Sequence, residues 1–193
     1  MQTSDVDISS SRVLIADDIQ QNRELLEAYL ADEGYEILMA ADGQQTIQMV
    51  EQHQPDLILL DVMMPGTDGL TVCSNLRAHP LLCDIPIIML TALDDQETRL
   101  KSMMEGADEF LNKPFNELEM SLRLKNILQI NRYRRLQNER ARTQWLLDSA
   151  EEAFLILDDQ LNIQYANNQA CVLLDLSQPV RSEEHTSELP SRE

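Results

Sequence analysis

The chain has 193 residues, enough for one domain and a smaller second segment, since domains typically run to about 100–150 residues. Its 34 acidic and 15 basic residues give a formal net charge of −19, which argues against direct binding to nucleic acid, because that needs Lys and Arg to neutralise phosphates. A hydrophobic content of 43% allows a core, and no apolar run approaches the about 20 residues that span a bilayer. The cysteines Cys73, Cys83 and Cys171 form no C-x-x-C pair, so we expect a reduced, cytoplasmic chain without structural zinc and without membrane contact.

Short apolar runs alternate with amphipathic stretches from Arg12 to about Phe115. The runs are bounded by Asp, Gly or Pro, as are strands of a parallel sheet that is covered on both faces. The predicted strands are Val13–Ala16, Ile37–Ala40, Leu57–Leu60, Ile87–Leu90 and Glu109–Leu111. The stretches with helical spacing are Asn22–Asp32, Gln44–His53, Leu70–Ala78 and Gln96–Glu105. This alternation predicts an α/β fold with a doubly wound, five-stranded parallel sheet.

The composition changes after Phe115. The stretch from Glu117 to about Ala150 contains no Gly or Pro and is rich in Arg, which predicts one long α-helix. Its role stays open between a solvated linker and a dimerising coiled coil, because Tyr133, Leu136 and Leu147 fit a heptad seam that polar residues interrupt.

A smaller pattern follows the predicted long helix. Ala153–Leu157 and Leu161–Tyr165 predict a hairpin, and Asn167–Leu174 predicts a short helix. So little chain cannot bury a core of its own. We therefore interpret this part as the beginning of a truncated α+β domain.

Polar side chains follow four of the predicted strands. They are Asp17 and Asp18, Asp61, Thr91, and Lys113 with Pro114. Each alone is typical of a helix cap or a turn. In an open parallel sheet, however, the carboxyl ends of the strands meet at one edge, where ligands bind. Three carboxylates there would repel each other without a cation, and an oxygen-only cluster suits Mg²⁺. A carboxylate beside Mg²⁺, an ammonium and a hydroxyl can accept a phosphoryl group.

From Arg12 to about Ile127 the chain resembles the receiver domain of two-component response regulators. The segments that carry the resemblance are Val13–Asp18, Leu59–Gly66, Met89–Ala92 and Gly106–Phe115. The resemblance implies a flavodoxin-like sheet with the strand order 2-1-3-4-5.

The resemblance also implies the roles of the acidic residues. Asp61 would accept a phosphoryl group from the phosphohistidine of a histidine kinase or phosphotransfer protein. Asp18, Asp61 and the backbone carbonyl of Met63 would bind Mg²⁺ directly, and Asp17 would bind it through water.

Further roles are implied for the residues around the phosphoacceptor. Lys113 would contact Asp61 or its phosphate, and Thr91 would move to hydrogen bond a phosphoryl oxygen. Phe110 would swing inward behind Thr91. The Lys113–Pro114 peptide would be cis, a form that X–Pro bonds tolerate.

The C-terminal region carries two further resemblances. Glu151–Ala170 resembles the opening of a PAS domain, with Tyr165–Asn167 as its turn, and Arg181–Leu189 resembles translated read-through of a sequencing adapter, the alternative being a genuine acidic tail. We therefore predict a disordered N-terminus (1–11), a receiver (12–127), a helical linker (128–150), a truncated PAS-like segment (151–180) and an adapter-derived or disordered tail (181–193).

These features predict a bacterial phosphorelay module, not itself an enzyme, that signals to a C-terminal sensor or output region. It could form a homodimer through the receiver or the linker helix. The main alternative is the receiver portion of a larger enzyme, a hybrid histidine kinase or a diguanylate cyclase/phosphodiesterase, whose catalytic domain is truncated. A haloacid-dehalogenase-type enzyme would need a second Asp where Met63 stands. A kinase phosphodonor is not indicated, because none of His53, His79 and His185 precedes an acidic residue on a predicted helix.

Overall fold

The computed structural model describes residues 11–92, 101 and 103–175. The chain divides into two compact units, with the boundary between Tyr133 and Arg134. Among the described helices, none combines the length and the apolar character that crossing a bilayer requires.

The first unit is built on a five-stranded sheet in the order β2-β1-β3-β4-β5, in which every neighbouring pair is parallel. This confirms the predicted flavodoxin-like order. The strands are β1 (Arg12–Ala16), β2 (Glu36–Ala40), β3 (Leu57–Asp61), β4 (Ile87–Ala92) and β5 (Glu109–Lys113). Each contains one of the short apolar runs of the sequence.

Helices cover both faces of this sheet. The helices of this part of the chain whose bounds are described are α1 (Gln20–Leu30), α2 (Gly43–His53), α3 (Gly69–Ala78) and α4 (Glu117–Ser149). A 3₁₀ turn at Ala31–Glu33 extends α1 and ends at Gly34, whose φ of 78° favours glycine. The predicted helix Gln96–Glu105 falls mostly outside the described residues, although Lys101, Met103 and Met104 are helical.

The core of the first unit consists of two hydrophobic layers, one on each face of the sheet. Alternate residues of a strand point to opposite faces, so every strand serves both layers. One layer packs under α2 and α3 and includes Leu14, Ile58, Leu60, Met89, Val50 and Val72. The other packs under α1 and α4 and includes Ile15, Leu59, Leu90, Leu26, Leu30, Met120 and Leu124. Burial on both faces explains why the strands appear as unbroken apolar runs.

Arg77, in the last turn of α3, fixes the segment that leads into β5. Its guanidinium donates to the carbonyls of Gly106, Cys83 and Ile85, at 2.7, 2.8 and 2.8 Å. It also forms a 2.7 Å ion pair with Asp108, whose carboxylate accepts the Ile87 N–H at 2.8 Å. These contacts position the start of β5, the strand that ends at Lys113.

The second unit contains the C-terminal part of α4 and a small hairpin. Its other elements are β6 (Leu155–Leu157), the antiparallel β7 (Ile163–Ala166) and α5 (Asn168–Leu173). The hairpin turn is longer than predicted, because the Asp158 carboxylate accepts the backbone N–H groups of Gln160 and Asn162 and delays the second strand.

Asn167 is the buried polar centre of the second unit. Its amide donates to the carbonyls of Leu147 and Glu152, both at 2.9 Å. Its side-chain oxygen accepts the N–H groups of Phe154 and Ala170, at 2.9 and 3.0 Å. Both functional groups of this amide are therefore used, and one side chain joins α4, the loop that leads into β6, and α5.

Candidate functional site

The carboxyl ends of β1 and β3 bring three aspartates together. Asp17 and Asp18 follow β1 directly, and Asp61 is the last residue of β3. One carboxylate oxygen of each lies within 4.8 Å of the others. Asp17 and Asp61 are buried and Asp18 is exposed, so the cluster opens to solvent on one side. This is the edge of the sheet at which a ligand site was predicted.

Lys113, the last residue of the edge strand β5, reaches this cluster from the same carboxyl edge of the sheet. Its Nζ lies 2.8 Å from Asp17 Oδ2 and 2.8 Å from Asp61 Oδ2. Burial lowers the pKa of Lys113, but the hydrogen bonds to both carboxylates outweigh this effect and raise the pKa above its ordinary value. The ammonium therefore stays charged at neutral pH.

The carboxylate of Asp61 is held in a poorly solvated position. Burial raises the pKa of Asp61 above its ordinary value, and the hydrogen bond from Lys113 opposes that shift without cancelling it. The Lys113 ammonium also contacts Asp17, and the negative charge of Asp17 raises the pKa of Asp61 further. The negative charge of ionised Asp61 is therefore only partly compensated.

The carboxylate of Asp17 has partners that the sequence analysis missed. Asn22 Nδ2 lies 3.0 Å from Oδ1 and 2.9 Å from Oδ2, and the Ile19 N–H donates to Oδ1 at 2.9 Å. Arg23 Nη1 donates to the Asp17 backbone carbonyl at 2.6 Å. The first turn of α1 therefore holds both the side chain and the main chain of Asp17.

Thr91 is buried near the end of β4, and its hydroxyl donates to Asn112 Oδ1 at 3.2 Å. The two residues are register partners on β4 and β5. Phe110, earlier on β5, is partly buried against the core layer under α2 and α3. Asn112 is a second contact that sequence reasoning missed, although it lies within a segment that carried the resemblance.

Two further predicted positions lie at the ends of strands. Met63 follows β3 with an exposed side chain, and its backbone forms a hydrogen bond to the Asp61 carboxylate. The Lys113–Pro114 peptide is cis.

The charges and donors of this cluster fit a hard divalent cation. All three groups that face each other are carboxylates, and among the described residues Lys113 is the cation that forms ion pairs with them, so negative charge is in excess. Mg²⁺ takes oxygen ligands and binds through one or two carboxylates while keeping several waters. The acidic cluster therefore has the chemistry of a magnesium pocket.

The comparison with known families agrees with this geometry. The family described as "Response regulator receiver domain" matches residues 13–125, which is more than half of the chain. The chain belongs to this receiver family. A second family, described as "PAS domain", matches residues 141–192. That match includes residues 181–192. These residues lie outside the described part of the chain, so their origin as adapter read-through stays a prediction.

Individual relatives support the assignment to the receiver family. "Response regulator PleD" of Caulobacter vibrioides is 43% identical over 118 residues, which are 61% of this chain and 26% of PleD. "Alkaline phosphatase synthesis transcriptional regulatory protein PhoP" of Bacillus subtilis is 39% identical over 119 residues, covering 62% of this chain and 49% of PhoP. A solved putative response regulator from Chloroflexus aurantiacus is 40% identical with a TM-score of 0.61, over 62% of this chain and 98% of that structure. The chain thus spans between a quarter and a half of the length of these curated relatives, and it covers 98% of the solved structure.

Proposed function

We propose that the receiver is a phosphorylation-controlled signalling module in which Asp61 is the phosphoacceptor. The observation that carries this proposal is the position of Asp61: its carboxylate ends β3 within 2.8 Å of Lys113 Nζ and beside two further carboxylates. The donor is the phosphohistidine of a histidine kinase or a phosphotransfer protein, the kind of partner with which receivers interact.

The transfer uses the residues of the cluster in distinct roles. An Asp61 oxygen attacks the phosphorus in line, the P–N bond to the donor histidine breaks, and its electron pair stays on the imidazole. Asp18, Asp61 and the Met63 carbonyl would hold Mg²⁺, and Asp17 would act through water. When bound, Mg²⁺ neutralises charge on the phosphoryl oxygens. Lys113 supplies the second positive charge.

The response to phosphorylation involves Thr91 and Phe110. The Thr91 hydroxyl exchanges its 3.2 Å hydrogen bond to Asn112 for one to a phosphoryl oxygen. Phe110, which is only partly buried, swings inward behind it. The rearranged surface of β4 and β5 is what a downstream partner recognises.

The module works as part of a longer signalling protein and is not itself an enzyme. We assign residues 12–127 to the receiver, 128–150 to a helical linker and 151–180 to a PAS-like segment, with the output beyond them. The printed names of the curated relatives above describe regulators, so a receiver within a larger enzyme is not favoured.

Labelling with a small phosphodonor tests the phosphoacceptor. The protein is incubated with acetyl phosphate and Mg²⁺, and its intact mass is measured. The parent gains one base-labile phosphoryl group, Asp61→Asn gains none, and the control Asp159→Asn, at an exposed hairpin residue, behaves as the parent. Undiminished labelling of Asp61→Asn would contradict the proposal. In titrations with Mg²⁺, Asp18→Ala should weaken binding more than Asp17→Ala.

A second proposal concerns homodimerisation. Leu118, Leu122 and Tyr133 are exposed on α4, on the side opposite the buried Met120 and Leu124. A second copy of this helix would cover them. Light scattering should then report a dimer that Leu122→Glu dissociates.

The control for this test is Asn138→Glu, at an exposed residue on another side of α4. A monomeric parent would contradict dimerisation.

A further inference from the structure

We propose that Asn22 is a positioning residue for the phosphoacceptor site: its amide holds the buried Asp17 carboxylate in the orientation in which the cluster takes up a divalent cation. The inference rests on the proposed function, because it concerns the same acidic cluster. It assigns a task to α1, an element that contributes no residue to the predicted site.

One amide nitrogen of Asn22 contacts both carboxylate oxygens of Asp17. Asn22 Nδ2 lies 3.0 Å from Asp17 Oδ1 and 2.9 Å from Oδ2, so one nitrogen is within hydrogen-bond distance of both oxygens. Asn22 is partly buried and Asp17 is fully buried. A carboxylate removed from water needs such donors, because ionised groups without partners are very costly in a protein interior.

The donors of Asp17 are not equivalent in what they can fix. The Ile19 N–H belongs to the main chain and reaches only Oδ1, at 2.9 Å. Lys113 reaches only Oδ2 and is shared with Asp61 at the same distance of 2.8 Å. Among the described contacts, Asn22 is the side chain that contacts both oxygens of Asp17 and forms no hydrogen bond to another carboxylate. It therefore defines the plane of the Asp17 carboxylate.

Arg23, the next residue of α1, holds the backbone of Asp17. Arg23 Nη1 donates to the Asp17 carbonyl at 2.6 Å, and the Arg23 N–H bonds back to Ile19 in the first turn. Two consecutive residues of one helix thus fix the carboxylate and the carbonyl of Asp17. Because side chains that orient metal-binding groups hold them in the productive geometry, their loss weakens metal binding without removing a ligand.

The loss of Asn22 has a specific expected consequence. Without the amide, Lys113 is the side-chain donor to Asp17 Oδ2 that remains among the described contacts, and the carboxylate turns towards that ammonium. Lys113 is then drawn away from Asp61, and Asp17 no longer faces the position where the cation binds. We expect the dissociation constant for Mg²⁺ to rise about tenfold, the low end of what the loss of such a supporting contact causes.

The experiment compares the full chain with three variants. Asn22→Leu removes the amide at similar size, and Asn22→Ala removes it with a residue that favours helix, so that folding is retained. Asn22→Gln keeps the amide on a longer arm and should recover part of the affinity. The matched control is Gln21→Leu, at an exposed residue of the same helical turn. Calorimetric titration with MgCl₂ gives the affinity, and thermal unfolding without Mg²⁺ confirms that each variant is folded.

The decisive measurement is the dependence of acetyl phosphate labelling on Mg²⁺ concentration. A positioning role raises the Mg²⁺ concentration for half-maximal labelling about tenfold, while saturating Mg²⁺ restores the parent rate. Parent affinity in Asn22→Leu and Asn22→Ala would overturn the inference. A loss of labelling that saturating Mg²⁺ does not restore would also overturn it, because Asn22 would then act on the fold or on the chemical step.

The same data separate this inference from the proposed function. If the parent chain neither binds Mg²⁺ nor is labelled at Asp61, the proposed function fails, and the inference fails with it. If the parent does both and the Asn22 variants match it, the phosphoacceptor role stands and only the positioning role of Asn22 is overturned.

Discussion

Gly69 packs directly on the backbone of Asp61. A β carbon at residue 69 would lie 2.1 Å from the Asp61 carbonyl oxygen, and the Gly69 N–H donates to the carbonyl of Val62 at 3.0 Å. The first residue of α3 is therefore in contact with the strand end that carries the proposed phosphoacceptor. Only a residue without a side chain allows this approach.

Replacing Gly69 by Ala should disturb both stability and labelling. The new methyl group must displace the Asp61 backbone, because rigid main chain and not a flexible side chain opposes it. We expect a loss of about 3 kcal/mol in the free energy of unfolding, the upper end for overpacking, and slower acetyl phosphate labelling. Urea unfolding and intact-mass labelling measure the two effects.

Gly66→Ala is the matched control for this substitution. Gly66 has a φ of 77°, but a β carbon there would meet nothing within 4 Å. Its cost should be only the left-handed backbone penalty of about 1 kcal/mol, with labelling unchanged. Equal effects of the two substitutions on labelling would contradict the role of the Gly69 contact.

The raised pKa of Asp61 predicts a pH-dependent gain in stability on replacement by Asn. A carboxyl whose pKa is higher in the folded than in the unfolded state loses stability as the pH rises through the folded value, here above the ordinary 3.8. Asp61→Asn removes that ionisation. Without Mg²⁺ we expect the variant to be more stable than the parent at neutral pH, because it has no carboxyl that must ionise in a buried position. At pH 3 the two should converge, and an advantage that is independent of pH would count against this explanation.

The shared ammonium predicts a metal-dependent effect of Lys113→Met. Removing it leaves Asp17 and Asp61 buried without their common partner, so we expect a loss of about 3 kcal/mol when Mg²⁺ is absent. Added Mg²⁺ should restore part of the stability, because a cation would take over the neutralisation. Thermal unfolding with and without MgCl₂ measures both effects.

Lys125→Met is the control for Lys113→Met. Lys125 forms a 2.7 Å ion pair with Glu33 that is partly exposed, so its loss should cost less than about 1 kcal/mol and should not respond to Mg²⁺. A similar response of both variants to the metal would refute the special place of Lys113.

The fold of the first unit was predictable because each of its strands contains a short apolar run that is visible in the sequence. A run such as Leu57–Leu60 is buried on both faces, and the polar residues that end the strands locate the acidic edge. The beginning of α1 was less predictable. The Asp17 carboxylate accepts the Ile19 N–H, so the helix starts at Gln20, two residues before its apolar spacing becomes visible.

The supporting side chains of the site could not be predicted from spacing. Asn112 contacts Thr91 because β4 and β5 align in one register, and 21 residues separate them in sequence. Asn22 lies five residues after Asp17, a separation that becomes a contact only once a strand turns into a helix between them. Neither of these two sequence separations forms a recognisable pattern, so only the folded structure identifies the two contacts.

Replacing Asn167 should destabilise the hairpin of the second unit locally. Asn167→Ala removes the hydrogen bonds to Leu147, Glu152, Phe154 and Ala170 and leaves buried backbone groups without partners. We expect amide hydrogens of β6 and β7 to exchange at least about tenfold faster, the equivalent of 1.4 kcal/mol in local stability. The strands of the first unit should be unaffected. Exposed Asn168→Ala is the control, and unchanged protection of the hairpin in Asn167→Ala would contradict the prediction.

The burial of Met120, Leu124 and Leu128 in the first turns of α4 decides where this receiver can be joined to another protein. These side chains complete the hydrophobic layer over Ile15, although they follow the change in composition at Phe115. A fusion made at Phe115 would expose that layer and aggregate. A junction in the exposed stretch that starts at residue 132 keeps the layer intact. A biosensor built from this receiver must therefore include more than a third of α4.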